Sequence, residues 1–195
     1  MKPNLMIAYD ANNVLRDSGE RGVYGRKLIA KMATRHVDVF QAMLFSLGVE
    51  HTYRHYFTSF ANVSTFLPRG LSRLLPQLWV RRKANRLLHF QHAMLFHGLN
   101  DELPYALKPN VRTVVTCHGL NNHQPTSYLD KLLWKHRVSY ALRVADVVVA
   151  VNEEVRREIV ASGVNEVKVV VIGNSMEMTD LMAEQYFTLY QTLLK

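Results

Sequence analysis

Val147-Val148-Val149-Ala150-Val151 is an unbroken apolar run, entered from Asp146 and left through Asn152-Glu153-Glu154. A strand with one wet face alternates apolar and polar residues. Five consecutive apolar side chains therefore mark a strand covered on both faces, the condition of a parallel sheet. The next segment suits a helix: Asn152 is a favourable amino-terminal cap, Glu153 and Glu154 complement the positive end of the helix dipole, and Gly163 is a stop. Val167 to Ile172 reads as the last strand. Upstream, a long helix is expected from about Ser127 to Val144. Before it, Val111 to Cys117 reads as a strand because Val111, Val114 and Val115 sit among β-formers.

The amino-terminal half repeats this alternation. Leu5 to Ala8 is a buried strand that feeds, through Tyr9 and Asp10, a polar turn holding Gly19, Gly22 and Gly25. Val23, Leu28, Ile29 and Met32 recur at helical spacing until His36, and Val37 to Leu44 is the next strand. The aromatic and β-branched residues between His51 and Phe66 predict one or two more strands. From Pro68 to His89 the pattern is helical, with Pro76 expected to kink or divide it, and Ala93 to Phe96 is a short strand. Strands and helices alternating throughout predict an α/β fold: a single Rossmann-like open, mostly parallel sheet with helices on both faces. Met178 to Leu194 forms one further helix, with Leu181, Met182, Tyr186, Leu189, Tyr190 and Leu193 at helical spacing.

Lys and Arg number 24 against 16 Asp and Glu, giving a net charge of +8 and favouring a partner or surface that carries negative charge. A nucleic acid is not expected, since no motif interleaves aromatic with basic residues. One cysteine, Cys117, excludes an internal disulfide framework and reads as a small buried apolar residue. No leader pattern opens the chain, and no apolar run approaches the roughly 20 residues that span a bilayer. A cytoplasmic protein is expected, with any membrane contact peripheral, at the inner face of the cytoplasmic membrane. None of the nine histidines stands in a ligand motif, so no metal is expected.

Ligands of a parallel sheet bind at the carboxyl ends of its strands, so the turns after the strands are the informative positions. Four of them, Asp10 to Arg26, His97 to Pro104, Thr116 to Pro125 and Asn152 to Arg157, carry unusual residues and, taken in order, a family pattern. His97-Gly98-Leu99-Asn100-Asp101-Glu102-Leu103-Pro104, Val114-Val115-Thr116-Cys117-His118-Gly119-Leu120 and Ala145-Asp146 through Arg157 resemble blocks of the group 1 glycosyltransferases, glycosyltransferase family 4, whose enzymes have the GT-B fold. Val167 to Asn174 resembles the strand leading into that family's interdomain linker. Gly119 and Asn152 stand where the family commonly has aspartate and serine. The family's second domain, of roughly 150 residues, grips the nucleotide-sugar and has no counterpart after Asn174. Met178 to Lys195 instead resembles the closing helix that returns to pack on the first domain. The resemblance thus implies an amino-terminal, acceptor-side domain over residues 1–174, a crossover helix over 175–195, and no donor-binding domain.

It also implies a function. The family transfers a hexosyl group from a nucleotide-sugar to an acceptor, here a saccharide or lipid-linked saccharide, with no obligatory metal. This half is expected to supply the acceptor surface and to turn over substrate only with a donor domain. His118 is the candidate catalytic or sugar-contacting residue, at a strand's carboxyl end. Gly22, His97, Asn100, Glu102, Asn152 and Glu153 are the candidate acceptor contacts. A histidine beside a strand can equally cap a loop, and Asn and Asp favour turns on their own account. The glycine spacing is not the dinucleotide fingerprint, so no nucleotide cofactor is expected. Arg73, Arg81, Arg82, Lys83 and Arg86 are candidate contacts for a membrane or an anion, against the plainer reading of a core helix with a solvated basic face. From another class comes a non-catalytic binding or assembly module that works with a separate donor domain or a membrane. An uncovered cleft face also fits a homodimer.

Overall fold

The computed structural model describes residues 5–17, 19–70, 76–89, 94–120, 126–173 and 178–195. Its sheet is built from β1 (Leu5–Asp10), β2 (Phe40–Phe45), β3 (Val63–Phe66), β4 (Met94–Gly98), β5 (Arg112–Cys117), β6 (Val147–Ala150) and β7 (Val169–Val171). The strands lie in the order β3-β2-β1-β4-β5-β6-β7. Every pairing is parallel, so the sheet is wholly parallel and not merely mostly so. Of the expected run over residues 147–151, Val147–Ala150 is strand: all four pair with β5 and Val148–Ala150 also with β7, Val148 lying between Val115 and Val169.

Both faces are covered. Helices α1 (Asn12–Arg16), α2 (Glu20–Arg35) and α6 (Asp180–Leu193) share one core with Ile7, Tyr9, Leu44 and Leu95. Helices α3 (Pro76–His89), α4 (Tyr128–Val144) and α5 (Glu153–Ala161) share the other with Ala8, Phe96, Val115 and Val148. Alternate residues of each strand thus enter opposite cores. Burying one such apolar side chain stabilises by roughly 1.5–3 kcal/mol. Three helix starts are fixed by side-chain caps: Asn152 accepts from Val155 N at 2.8 Å, Ser127 from Asp130 N at 3.1 Å, and Thr179 from Met182 N at 3.2 Å. Asp146 locks β5 to β6, its Oδ2 accepting from the backbone N (2.7 Å) and the hydroxyl (2.9 Å) of Thr113.

Three expectations about the strands are corrected. Residues 36–39 form a turn closed by Phe40 N on His36 O at 2.8 Å, with Val37 exposed, so the second strand begins later. Glu166–Lys168 is a 3-10 turn because Asn165 accepts from Val167 N at 3.0 Å, and it leaves Val167 in solvent. Between His51 and Phe66 only Val63–Phe66 is a strand. The segment before it opens with a 3-10 turn at His51–Tyr53, and Phe57 and Phe60 cover the core instead of pairing as a ladder. Helix α3 is described over Pro76–His89; of the longer helical expectation, residues 71–75, and with them the expected kink or division at Pro76, lie outside the described residues.

Helix α6 packs back on the α2 side of the sheet. Met182, Ala183, Tyr186 and Tyr190 are buried against it. Phe187 stacks on His36 with centroids 3.6 Å apart, and Lys31 and Arg35 pair with Asp180 at 2.7 Å each. Exposed ion pairs of this kind contribute little, so the buried tyrosines hold the helix. Their hydroxyls lie within a polar interior. Tyr190 reaches Tyr9 (3.3 Å) and His97 Nδ1 (2.7 Å), while Tyr186 bonds Tyr24 and reaches Thr116 (3.2 Å).

Candidate functional site

The chain leaves β1 toward β2 on one side of the sheet, and later occupies β4 on the other side of β1. This change of direction makes the region beyond the carboxyl ends of β1 and β4 the usual ligand position of an open α/β sheet. Four turns border it, those after β1, β4, β5 and β6.

The turn after β4 is tight. A Cβ on Gly98 would stand 1.9 Å from Glu102 O, so only glycine lets this loop fold back. The fold-back places Asp101 in the left-handed region (φ 62°), fully buried, with its backbone N on Thr116 O at 3.1 Å. Asp101 Oδ1 accepts from His118 N at 2.7 Å, and Oδ2 pairs with Arg21 Nη1 at 2.8 Å. Asp101 therefore ties the start of α2 and the end of β5 to one carboxylate.

His118 is 7% exposed at the carboxyl end of β5. Its Nε2 lies 3.1 Å from Leu99 O; since a carbonyl only accepts, Nε2 carries the proton and Nδ1 is the basic nitrogen. Tyr24 meets the ring edge-on, with centroids 5.3 Å apart. Burial pushes the imidazole pKa below its ordinary value, against the pull of Asp101 and with the help of Arg21. The result is a neutral ring of fixed tautomer, suited to accepting a hydrogen bond or a proton.

Asp10, at the end of β1, is a further candidate, which sequence reasoning treats only as part of a turn. Its Oδ1 accepts from Asn12 N (3.1 Å) and Asn12 Nδ2 (2.9 Å). Burial raises its pKa to about 6, opposed by the Asn12 backbone bond and reinforced by the charge of Glu102. Its signal in the sequence is position alone, the first acid after an apolar strand. A carboxylate held near neutrality at a ligand-binding sheet edge is a functional candidate.

The other candidates are dispersed. Gly22 is buried against protein backbone, where a Cβ would stand 2.1 Å from Asp17 O and 2.8 Å from Asn13 O, so close packing of α2 on the preceding loop is what demands glycine there. His97 is fully buried beneath α6, with Nδ1 on Tyr190 and Nε2 2.8 Å from Thr116 Oγ1. Burial depresses its pKa to about 3, with His118 adding to the shift. The structure thus separates His97 from the cleft opening. Asn100 lies in the cleft loop, and its buried Oδ1 has no hydrogen-bond partner among the described residues. Glu102 pairs with Arg137 at 2.9 Å, Asn152 is exposed but occupied as a helix cap, and Glu153 lies 3.5 Å from Arg156.

Arg73 lies outside the described residues. Along α3, Arg81, Arg82 and Arg86 are exposed, while Lys83 lies over the Phe66 ring at 5.6 Å. The apolar side chains Val80, Ala84, Trp79 and Leu87 belong to the sheet core, so the outward face is the basic one. Cys117 is buried, and burial raises its thiol pKa out of the range of a nucleophile. Among the described residues no helix is long and apolar enough to cross a membrane, and no group of His, Cys, Asp and Glu is arranged to hold a metal ion.

A family model described as Glycosyltransferase Family 4 matches residues 22–179. No curated protein matches the chain by sequence. Among solved structures, Anabaena HepE in complex with UDP and glucose superposes with a TM-score of 0.56 at 14% identity, over 88% of this chain and 45% of its own. UDP-GlcNAc 2-epimerase from Neisseria meningitidis bound to UDP-GlcNAc gives 0.57 at 11% identity, over 96% and 50%. UDP-N-acetylglucosamine 2-epimerase from Rickettsia bellii gives 0.56 at 12%, over 95% and 48%. The chain spans about half the length of these structures, and at such identities the likeness is one of fold.

Proposed function

Given that the chain belongs to glycosyltransferase family 4 and carries a GT-B-type Rossmann-like domain, we propose that it is the acceptor-side half of a glycosyltransferase that moves a hexosyl group from a nucleotide-sugar to a saccharide or lipid-linked saccharide. The observation that supports this reading is that two proton-accepting groups stand after strands β1 and β5 at the same end of the sheet. His118 is neutral with its tautomer fixed, and Asp10 titrates near neutrality. A sugar hydroxyl is a poor nucleophile until its proton is drawn away, and a base with a pKa near the working pH does this best. In this reading His118 and Asp10 hold and polarise the acceptor hydroxyl. Asn100, Glu102, Asn152 and Glu153 border the acceptor from the neighbouring turns, while Gly22 and His97 shape the cleft from beneath.

Attack also requires the anomeric carbon to be held in line. Proximity of that kind is worth several powers of ten in rate, and in this family it comes from a domain facing the cleft. Nucleotide-sugar binding and turnover are therefore expected only with a donor domain. The exposed basic face of α3 fits peripheral contact with an anionic membrane carrying a lipid-linked acceptor.

Isothermal titration of the chain against candidate acceptor glycans and nucleotide-sugars tests the proposal. Acceptor binding without nucleotide binding, weakened by His118→Ala, is the expected result. Tight binding of a nucleotide-sugar, or its robust turnover by this chain alone, would overturn it.

A further inference from the structure

The β2–β3 edge of the sheet carries a second concavity, apart from the cleft around His118. It has a volume of about 830 Å³, within the range of small-molecule sites, and lies between edge strand β3 and the residue 50–60 segment that wraps over it. Its lining combines three chemistries. Tyr53 and Phe57 supply aromatic surface, Thr58 and Thr65 supply hydroxyls, and His51 and Arg54 supply the charged and ring nitrogens. No carboxylate is among the described residues that line it. Tyr53 is fixed in place, because the guanidinium of buried Arg26 lies 3.9 Å from its ring centre and is itself held by Val14 O (2.7 Å) and Asp17 O (2.8 Å). An aromatic platform rigid before binding spares the ligand the entropy of ordering it.

One wall of the groove is tied to the end of β1. Asn12 bonds Asp10 through its Nδ2, and its Oδ1 accepts from the backbone N of Leu47 at 2.8 Å. Leu47 and Gly48 form the near wall of the groove. One side chain, Asn12, thus bonds both the candidate base and the wall of this concavity.

We infer that the groove is a subsite for an anionic sugar, occupied by the part of an extended acceptor that lies beyond the reacting residue. Sugar rings present apolar faces to aromatic residues and hydroxyls to Thr and His. The cationic rim with no opposing carboxylate selects a negatively charged substituent, either a uronate or a phosphate. This inference rests on the acceptor reading of the cleft and adds the class and direction of the acceptor to it.

The test is amide NMR of the folded chain titrated with trigalacturonic acid, with glucose 1-phosphate and with maltotriose as the neutral control. Amides of Gly48 and Thr58 report the groove, and those of Gly98 and Gly119 report the cleft. One of the two anionic sugars is expected to shift the groove amides at concentrations where maltotriose does not. Arg54→Gln, at an exposed position, is expected to weaken that binding roughly tenfold, the loss of one charge-assisted hydrogen bond. A response to trigalacturonic acid but not to glucose 1-phosphate assigns a uronate, and the reverse assigns a phosphate. Equal binding of maltotriose, indifference to Arg54→Gln, or silence of the groove amides with every probe overturns the subsite. Cleft shifts with a silent groove leave the acceptor reading standing without it, whereas groove shifts with a silent cleft overturn the acceptor reading of the cleft.

Discussion

Replacing Asp10 with asparagine should stabilise the domain, and should do so increasingly as pH rises. Asp10 has a native pKa of about 6 against an ordinary value of 3.8. Its folded-state pKa is raised, so the native state holds the proton more tightly than the unfolded chain. Below pH 3.8 the carboxyl is neutral in both states and carries no penalty. Between 3.8 and about 6 the unfolded chain alone ionises and stability falls. Above that range the penalty is complete, at about 1.4 kcal/mol per pKa unit, or about 3 kcal/mol. Asparagine retains an oxygen able to accept from Asn12 and has no charge to desolvate. Urea unfolding of both proteins across roughly pH 4 to 7.5 gives the difference directly, and the titration of His97, common to both, cancels. The stability advantage of D10N should grow by about 2 kcal/mol over that range. An advantage independent of pH, or a loss that deepens toward the alkaline end, would show that Asp10 is not a desolvated carboxylate, and the basis for proposing it as an acceptor-side base would go with it.

Asp101→Ala leaves Arg21 without its buried partner and His118 N without an acceptor, and should lower stability by about 3 kcal/mol, while Asp101→Asn, which retains one acceptor and tolerates positive φ, should lose less; thermal melts of the two variants decide this. Gly98→Ala forces a methyl into Glu102 O, so little folded protein is expected by near-ultraviolet circular dichroism. Tyr190→Phe removes the hydroxyl that serves His97 and Tyr9 and should cost about 1–3 kcal/mol in urea unfolding. His97, with its pKa lowered from 6.5 to about 3, contributes stability above pH 6.5 that is lost as pH falls toward 3, and His97→Gln should flatten that part of the pH-stability curve.

The architecture was legible where residues repeat a physical pattern. The unbroken apolar run at 147–150 required cover on both faces, and Asn152 had to cap the helix after it; both hold at the stated distances. Strand ends were less legible. Val37 and Val167 have the composition of strand residues, yet they stand in turns fixed by backbone bonds to His36 and by the side chain of Asn165, which hydropathy does not register. The candidate site could be read from the sequence as a set of turns at one end of the sheet, and less as individual groups. His97 and His118 look alike in sequence, each at a strand's carboxyl end. The strand register turns His97 into the core beneath α6, while His118 stands beyond the end of β5, also largely buried, against Leu99 and Tyr24; the first placement depends on a helix some ninety positions away along the chain. Asp10 and Asp101 owe their importance to burial and to partners remote in sequence.

The pairing of Tyr9 with Tyr190 joins the first strand to α6 across a sequence separation of 181 residues. During synthesis the sheet is complete before α6 exists. Until that helix arrives, the hydroxyl of Tyr9, the ring of His97 and the hydroxyl of Thr116 lack the tyrosines that satisfy them. A chain lacking that helix would leave this face with polar groups that only water could satisfy, apart from the bond between His97 and Thr116. Folding of this domain is predicted to end in a late step, the expulsion of water from that face, whose rate depends on α6 and not on the sheet.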